Sequence, residues 1–161
     1  MEQALAQSVS DVLEKMFFLE ALADTEEPSL NPAGDLSIRL HFHGDPPGQF
    51  RLRLARSAAD AIAADFLGED PDTLSAGQSQ EVARELANMI CGSLLSRIEN
   101  RGSFKLSAPE VVEVAALPGT GPGGETAYTV ETGNGTLTAA ISLAATSLEP
   151  QACLATEKSA S

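Results

Sequence analysis

Basic residues are scarce: 10 Lys and Arg stand against 23 Asp and Glu, which gives the 161-residue chain a formal net charge of -13. So acidic a chain does not suit functions that neutralise phosphate backbones or anionic lipid, and nucleic acid and membrane surfaces drop out as expected partners. Long apolar runs are missing as well: no stretch approaches the roughly 18 to 20 residues that a membrane span needs. The opening MEQALAQSVSDV has neither the basic n-region nor the apolar core of a secretory signal, so a cytoplasmic location is expected. Cysteine is limited to Cys91 and Cys153, and histidine to His41 and His43. Two scattered cysteines in a reducing compartment are expected as free thiols, and no CxxC spacing points to zinc.

What is present is enough apolar material, 43% of residues, to bury one core. A single domain over residues 1–145 is expected, with 146–161, small, polar and without period, as a disordered tail. The first twenty residues place Leu5, Val9, Val12, Leu13, Met16 and Phe17 at helical spacing. An acidic, proline-bearing loop follows over 23–34. DLSIRLHFHG and QFRLRLA then alternate around DPPG, as the two strands of a hairpin do. Ser57 is placed to cap a short helix that Gly68 ends. A long helix spans roughly 78–100, and after Pro109 come three strands, EVVEVAAL, TAYTVET and TLTAAISL, the last two joined by GNG. The order predicts an α+β fold: a mainly antiparallel sheet of five or six strands, with long helices packed on one face. A helix and a hairpin recur in each half, which points to a pseudo-duplication, although the halves share no evident sequence.

The long helix carries the candidate site. Val82, Leu86, Met89, Ile90 and Leu94 recur at three- and four-residue steps and face the core. Glu81, Glu85, Asn88 and Gly92 then stack on a second stripe, one turn apart. Asparagine and glycine are both poor residues for a helix interior, so their presence there asks for a reason. Gly92 would let another backbone come close: a partner protein, or a strand of the same fold.

The run ELANMICGSLLSRIENRGSFKLSAPEVV resembles the CheX branch of the CheC/CheX/FliY chemotaxis phosphatases, whose signature is Glu-x-x-Asn on a helix followed further on by a proline that opens a strand. Glu85 and Asn88 match the pair, and Pro109 in LSAP matches the proline. Glu81 stands where the family usually has Asp or Ser. The resemblance covers roughly residues 1–144 and implies an enzyme that hydrolyses the aspartyl-phosphate of a response-regulator receiver of the CheY type, in chemotaxis or two-component signalling. On that resemblance Asn88 is expected to position the attacking water and Glu85 to pair with the receiver's phosphate-contacting lysine. Glu81, Arg84, Gly92 and Pro109 are expected to meet the partner. No cofactor is expected on this chain, since Mg²⁺ belongs to the receiver, and relatives imply a homodimer. The first helix has no such motif, because Glu14 is followed three residues on by Phe17. The alternative is a response-regulator-binding module of the same fold, like a flagellar-switch component, that hydrolyses nothing.

Other residues offer less. His41 and His43 share a strand face with Arg39, Arg51 and Arg53, and with no third ligand predicted the group is expected to be a solvated or interface surface, not a metal site. GTGPGGET lacks the Gly-Lys-Ser/Thr of a phosphate-binding loop. Cys91 is expected to be a buried, inert thiol.

Overall fold

The computed structural model describes residues 1–17, 23–24, 34–44, 46–98, 104–113 and 125–144. Three helices, α1 (Glu2–Phe17), α2 (Arg56–Leu67) and α3 (Ala76–Ile98), pack on one another and on one face of an antiparallel sheet. Its strands are β1 (Ala23–Asp24), β2 (Leu36–His43), β3 (Gly48–Leu54), β4 (Lys105–Leu106), β5 (Glu110–Val112), β6 (Glu125–Thr132) and β7 (Gly135–Leu143). The α+β architecture is as expected. The seven strands fill six positions, in the order β1-β6-β7-β3-β2-β4, with β5 lying further along the same edge of β2 as β4.

Strand alternation assigns the faces. Leu36, Ile38, Leu40 and Phe42 of β2, with Phe50, Leu52 and Leu54 of β3 and Leu137, Ala139 and Ile141 of β7, are buried beneath the helices. Leu5, Val9, Val12 and Leu13 of α1 and Val82, Leu86, Ile90 and Leu94 of α3 meet them in one core. Each fully buried Leu or Ile contributes roughly 1.5–3 kcal/mol, so it is this shared face, not the marginal stability of isolated hairpins, that holds the sheet. Gly68 closes α2 in the left-handed conformation (φ 66°), with the Glu69 N–H returning to the Ala64 carbonyl.

The pairing has an internal two-fold pattern. β3 and β7 meet at the middle; β2 and β6 flank them; and each half lends a short strand to the other, β1 to β6 and β5 to β2. The helices repeat as well. Leu5, Val9, Val12 and Leu13 have the same spacing as Val82, Leu86, Met89 and Ile90, so the duplication expected from element order extends to the register of the helical cores.

Four expectations need correction. Ser57 does not cap α2: Ala55 holds the N-cap position, and the Ser57 hydroxyl donates to the Asn134 carbonyl at 2.5 Å, tying the helix to the β6–β7 turn. The loop expected over 23–34 begins with a strand, because Ala23 and Asp24 pair with Glu131 and Val130. The first strand after Pro109 covers Glu110–Val112, and the rest of EVVEVAAL beyond Glu113 lies outside the described residues. Arg53 is not solvated: its side chain is 6% exposed and donates through both Nε (3.0 Å) and Nη2 (2.7 Å) to Asp35 Oδ2. A long charged side chain can be buried on a strand when a carboxylate goes with it. The expected tail and Cys153 also lie outside the described residues.

Candidate active site on helix α3

The helix that carries the site is fixed at its start and along two sides. Ser75 and Gln78 form a reciprocal capping box, Gln78 N–H to Ser75 Oγ at 3.2 Å and Ser75 N–H to Gln78 Oε1 at 2.9 Å. Ser79, buried, donates to Asp60 Oδ1 at 2.7 Å and joins α3 to α2. Ala83 and Ala87 are buried on α3 while Ala59 and Ala63 are buried on α2, and small side chains let the two helices approach closely. On the α1 side Arg97 bonds Asp11 and reaches Gln7.

Among the described residues, no side chain of the stripe bonds to another element. Glu81 and Glu85 are exposed, while Arg84, Asn88 and Gly92 are half-buried. With 3.6 residues per turn the five positions fall within an arc of about 100° on one side of the helix. Glu81 and Arg84 are engaged with each other, Arg84 Nη1 standing 2.9 Å from Glu81 Oε1. This pairing leaves Glu85 as the carboxylate without a counter-ion on the stripe. Neither Glu85 nor Asn88 makes a hydrogen bond or ion pair among the described residues. Arg84 Nε is shielded from water and lacks an acceptor among the same residues.

Gly92 distinguishes the two readings of its role. A Cβ built there would meet nothing within 4 Å among the described residues, so the glycine does not serve close packing against any of the described strands. It clears the space C-terminal to Asn88. The positions of α1 that match by core spacing are occupied differently: Ser8 for Glu85, Asp11 for Asn88 and Lys15 for Gly92. Ser8 is buried and donates to the Ala4 carbonyl; Asp11 is taken by Arg97 and Lys15. One helix of the pair is locked into the fold, and the other presents open groups.

Pro109 lies elsewhere in the design. β4 and β5 run along β2 with Phe42 opposite Leu106 and Arg39 opposite Glu110, so two residues of β2 face three on the edge. Pro109 sits in this bulge, where its missing N–H costs no ladder bond. Ser107 covers the gap: its N–H donates to the His41 carbonyl (2.8 Å) and its Oγ accepts from the His41 N–H (2.9 Å). No hydrogen bond or ion pair joins Pro109 to the stripe among the described residues. His41 and His43 are exposed, and no three His, Cys, Asp or Glu among the described residues are grouped to hold a metal. Burial pushes the Cys91 thiol up to about 12, which makes it a poor nucleophile. No helix among the described residues is long and apolar enough to cross a membrane.

The fold, three helices on one face of a six-position antiparallel sheet, is shared with a group of solved chemotaxis proteins. The chain is similar to the CheX chemotaxis protein of Vibrio vulnificus (TM-score 0.73, 22% identity, 88% of this chain and 95% of that one). It is also similar to the chain solved in a CheX-CheY-BeF3-Mg²⁺ complex from Borrelia burgdorferi (0.65, 16%, 89% and 97%) and to Thermotoga maritima FliY (0.54, 15%, 86% and 84%). No curated protein sequence matches the chain. Residues 36–132 match the family described as Chemotaxis phosphatase CheX, and the chain belongs to that family. The matched span holds Glu85, Asn88, Gly92 and Pro109.

Proposed function

We propose that this protein hydrolyses the aspartyl-phosphate of a CheY-type response-regulator receiver, with Asn88 and Glu85 inserted into the receiver's active site. The observation that carries the reading is the state of the α3 stripe. The helix presents a carboxylate and a carboxamide that have no partners among the described residues, beside a glycine whose open side has no neighbour among them. Membership of the family and the CheX-CheY complex of Borrelia burgdorferi support a receiver as the partner.

Hydrolysis of an acyl phosphate adds water across the P–O bond and yields the free aspartate and inorganic phosphate. The receiver brings Mg²⁺ and a lysine to the phosphoryl group, so what remains is to hold a water in line with the bond that breaks. The Asn88 carboxamide both donates and accepts, and it orients the water without adding charge beside the phosphoryl oxygens. Glu85 pairs with the receiver's lysine and sets the register in which Asn88 arrives. Glu81, neutralised by Arg84, does not compete for that lysine.

The test follows the decay of a phosphorylated CheY-type receiver with Mg²⁺ present. The wild-type protein accelerates decay, and Asn88→Ala removes about 10²-fold or more of the acceleration, as loss of a positioning group does. Because Asn88 bonds nothing described within the fold, the variant's stability stays within about 0.5 kcal/mol of wild type. A wild-type rate for Asn88→Ala refutes the assignment. Binding without acceleration leaves the docking module of the same fold.

A further inference from the structure

The sheet face turned away from the helices carries a second group of residues. The register across β2, β3 and β7 sets Ser37, Arg53 and Thr138 in one row and Arg39, Arg51 and Ala140 in the next. Strand alternation points both rows to this face. With Val112 and Glu113 they line a cleft of about 140 Å³. Arg39 and Arg51 are directly opposed across the hairpin, an arrangement in which like charges repel.

Neighbouring carboxylates do not use up these cations. Asp35 holds Arg53, Glu110 holds Arg39 at 3.1 Å, and Glu113 is exposed at the rim. No carboxylate pairs with Arg51 among the described residues. Two donors are left over inside: Arg53 Nη1, on a side chain 6% exposed, and Arg39 Nε are shielded from water and have no acceptor among the described residues. A shielded donor without an acceptor is costly, and guanidinium is the most costly kind to leave so. Thr138 shares its hydroxyl with Thr129 at 2.9 Å, and Ser37 adds a second hydroxyl on the other side of Arg53. Ala140, almost wholly buried, is the short side chain that keeps the hollow open next to Arg51.

We propose that this cleft binds a small tetrahedral oxyanion of the phosphate class. Arg53, Arg39 and Arg51 approach from two rows and two strands, which suits three or more oxygens better than the two of a planar carboxylate. The volume excludes a nucleotide, since sites for ligands of drug size run to about 300–1,000 Å³. The site lies on the face opposite to the α3 stripe and does not depend on its role.

The experiment is a titration of the full chain with inorganic phosphate at constant ionic strength, followed by calorimetry and by NMR shifts. Saturable one-site binding is expected. Arg51→Gln weakens it about tenfold or more, the loss of one charge-assisted bond. Ala140→Leu fills the hollow without changing charge and abolishes binding, while Lys15→Gln, removing a cation from the helical side, leaves it unchanged. Failure of phosphate to saturate, an unchanged affinity in Arg51→Gln, or acetate binding as well as phosphate overturns the proposal. So does a change of association state in Arg51→Gln with no phosphate effect, which makes the face a contact between copies.

Discussion

Replacing Gly92 should move stability and activity in opposite directions. In the interior of α3 a glycine costs about 0.8–1.0 kcal/mol relative to alanine, through the backbone entropy it loses on folding. Tight packing often explains such a glycine, but a Cβ here meets no atom of the described residues within 4 Å, so alanine gains the propensity without a clash. Gly92→Ala should therefore raise stability by about 1 kcal/mol, or ~2–4 °C in Tm for a domain of this size. The same methyl group stands one turn from Asn88 on the face proposed to meet the receiver, and Gly92→Leu extends further into that space. The leucine variant should raise KM for the phosphorylated receiver at least about tenfold, the effect of a steric block on docking. Thermal unfolding of both variants and their receiver dephosphorylation kinetics give the readout. Destabilisation by Gly92→Ala would show that the helix is packed at this point, and unchanged kinetics in Gly92→Leu would remove the stripe as the docking surface.

Asp35→Ala leaves the Arg53 guanidinium buried without its carboxylate and should cost about 3 kcal/mol or more in denaturant unfolding, whereas Asp35→Ala with Arg53→Leu recovers most of the loss. Recovery that fails shows the pair to be more than a mutual neutralisation. Cys91 sets a pH dependence: its folded pKa of about 12 lies above the unfolded value near 8.5, so the unfolded chain releases this proton first and stability falls as pH rises through that window. Cys91→Ala should flatten the fall, by up to about 1.4 kcal/mol for each pH unit, and equal slopes above pH 9 would refute the assignment.

Alternation made the β2–β3 hairpin legible, and helical spacing separated the core of α3 from the stripe with Glu85 and Asn88. Both signals are periodic and local. Contacts between distant parts of the chain were not legible. Arg53 alternates like its neighbours, and nothing in QFRLRLA says that Asp35, 18 residues earlier, buries it. Ser57 has the chemistry of a cap, but its hydroxyl finds the Asn134 carbonyl, 77 residues on. The Ser75–Gln78 capping box was within reach of the sequence, because a serine precedes a glutamine by three residues at the helix start, yet the stretch EDPDTLSAG that holds the serine has the acidic, turn-forming composition of a linker. That Gly92 opens onto free space depends on what other elements leave unfilled, and no spacing within α3 carries that information.

The exchange of short strands between the halves has a consequence for how the chain acquires its structure. Ala23 pairs with Glu131, and Ser37 with Val112, so the outer positions of the sheet join segments far apart in sequence. Closing such loops costs entropy before any pairing repays it, and folds dominated by them form slowly. The helices can nucleate early, but the β1 edge waits for β6. Neither half can complete its own sheet, and a chain still lacking residues beyond about 125 on the ribosome exposes the edge of β3 that β7 will cover to any other strand that passes.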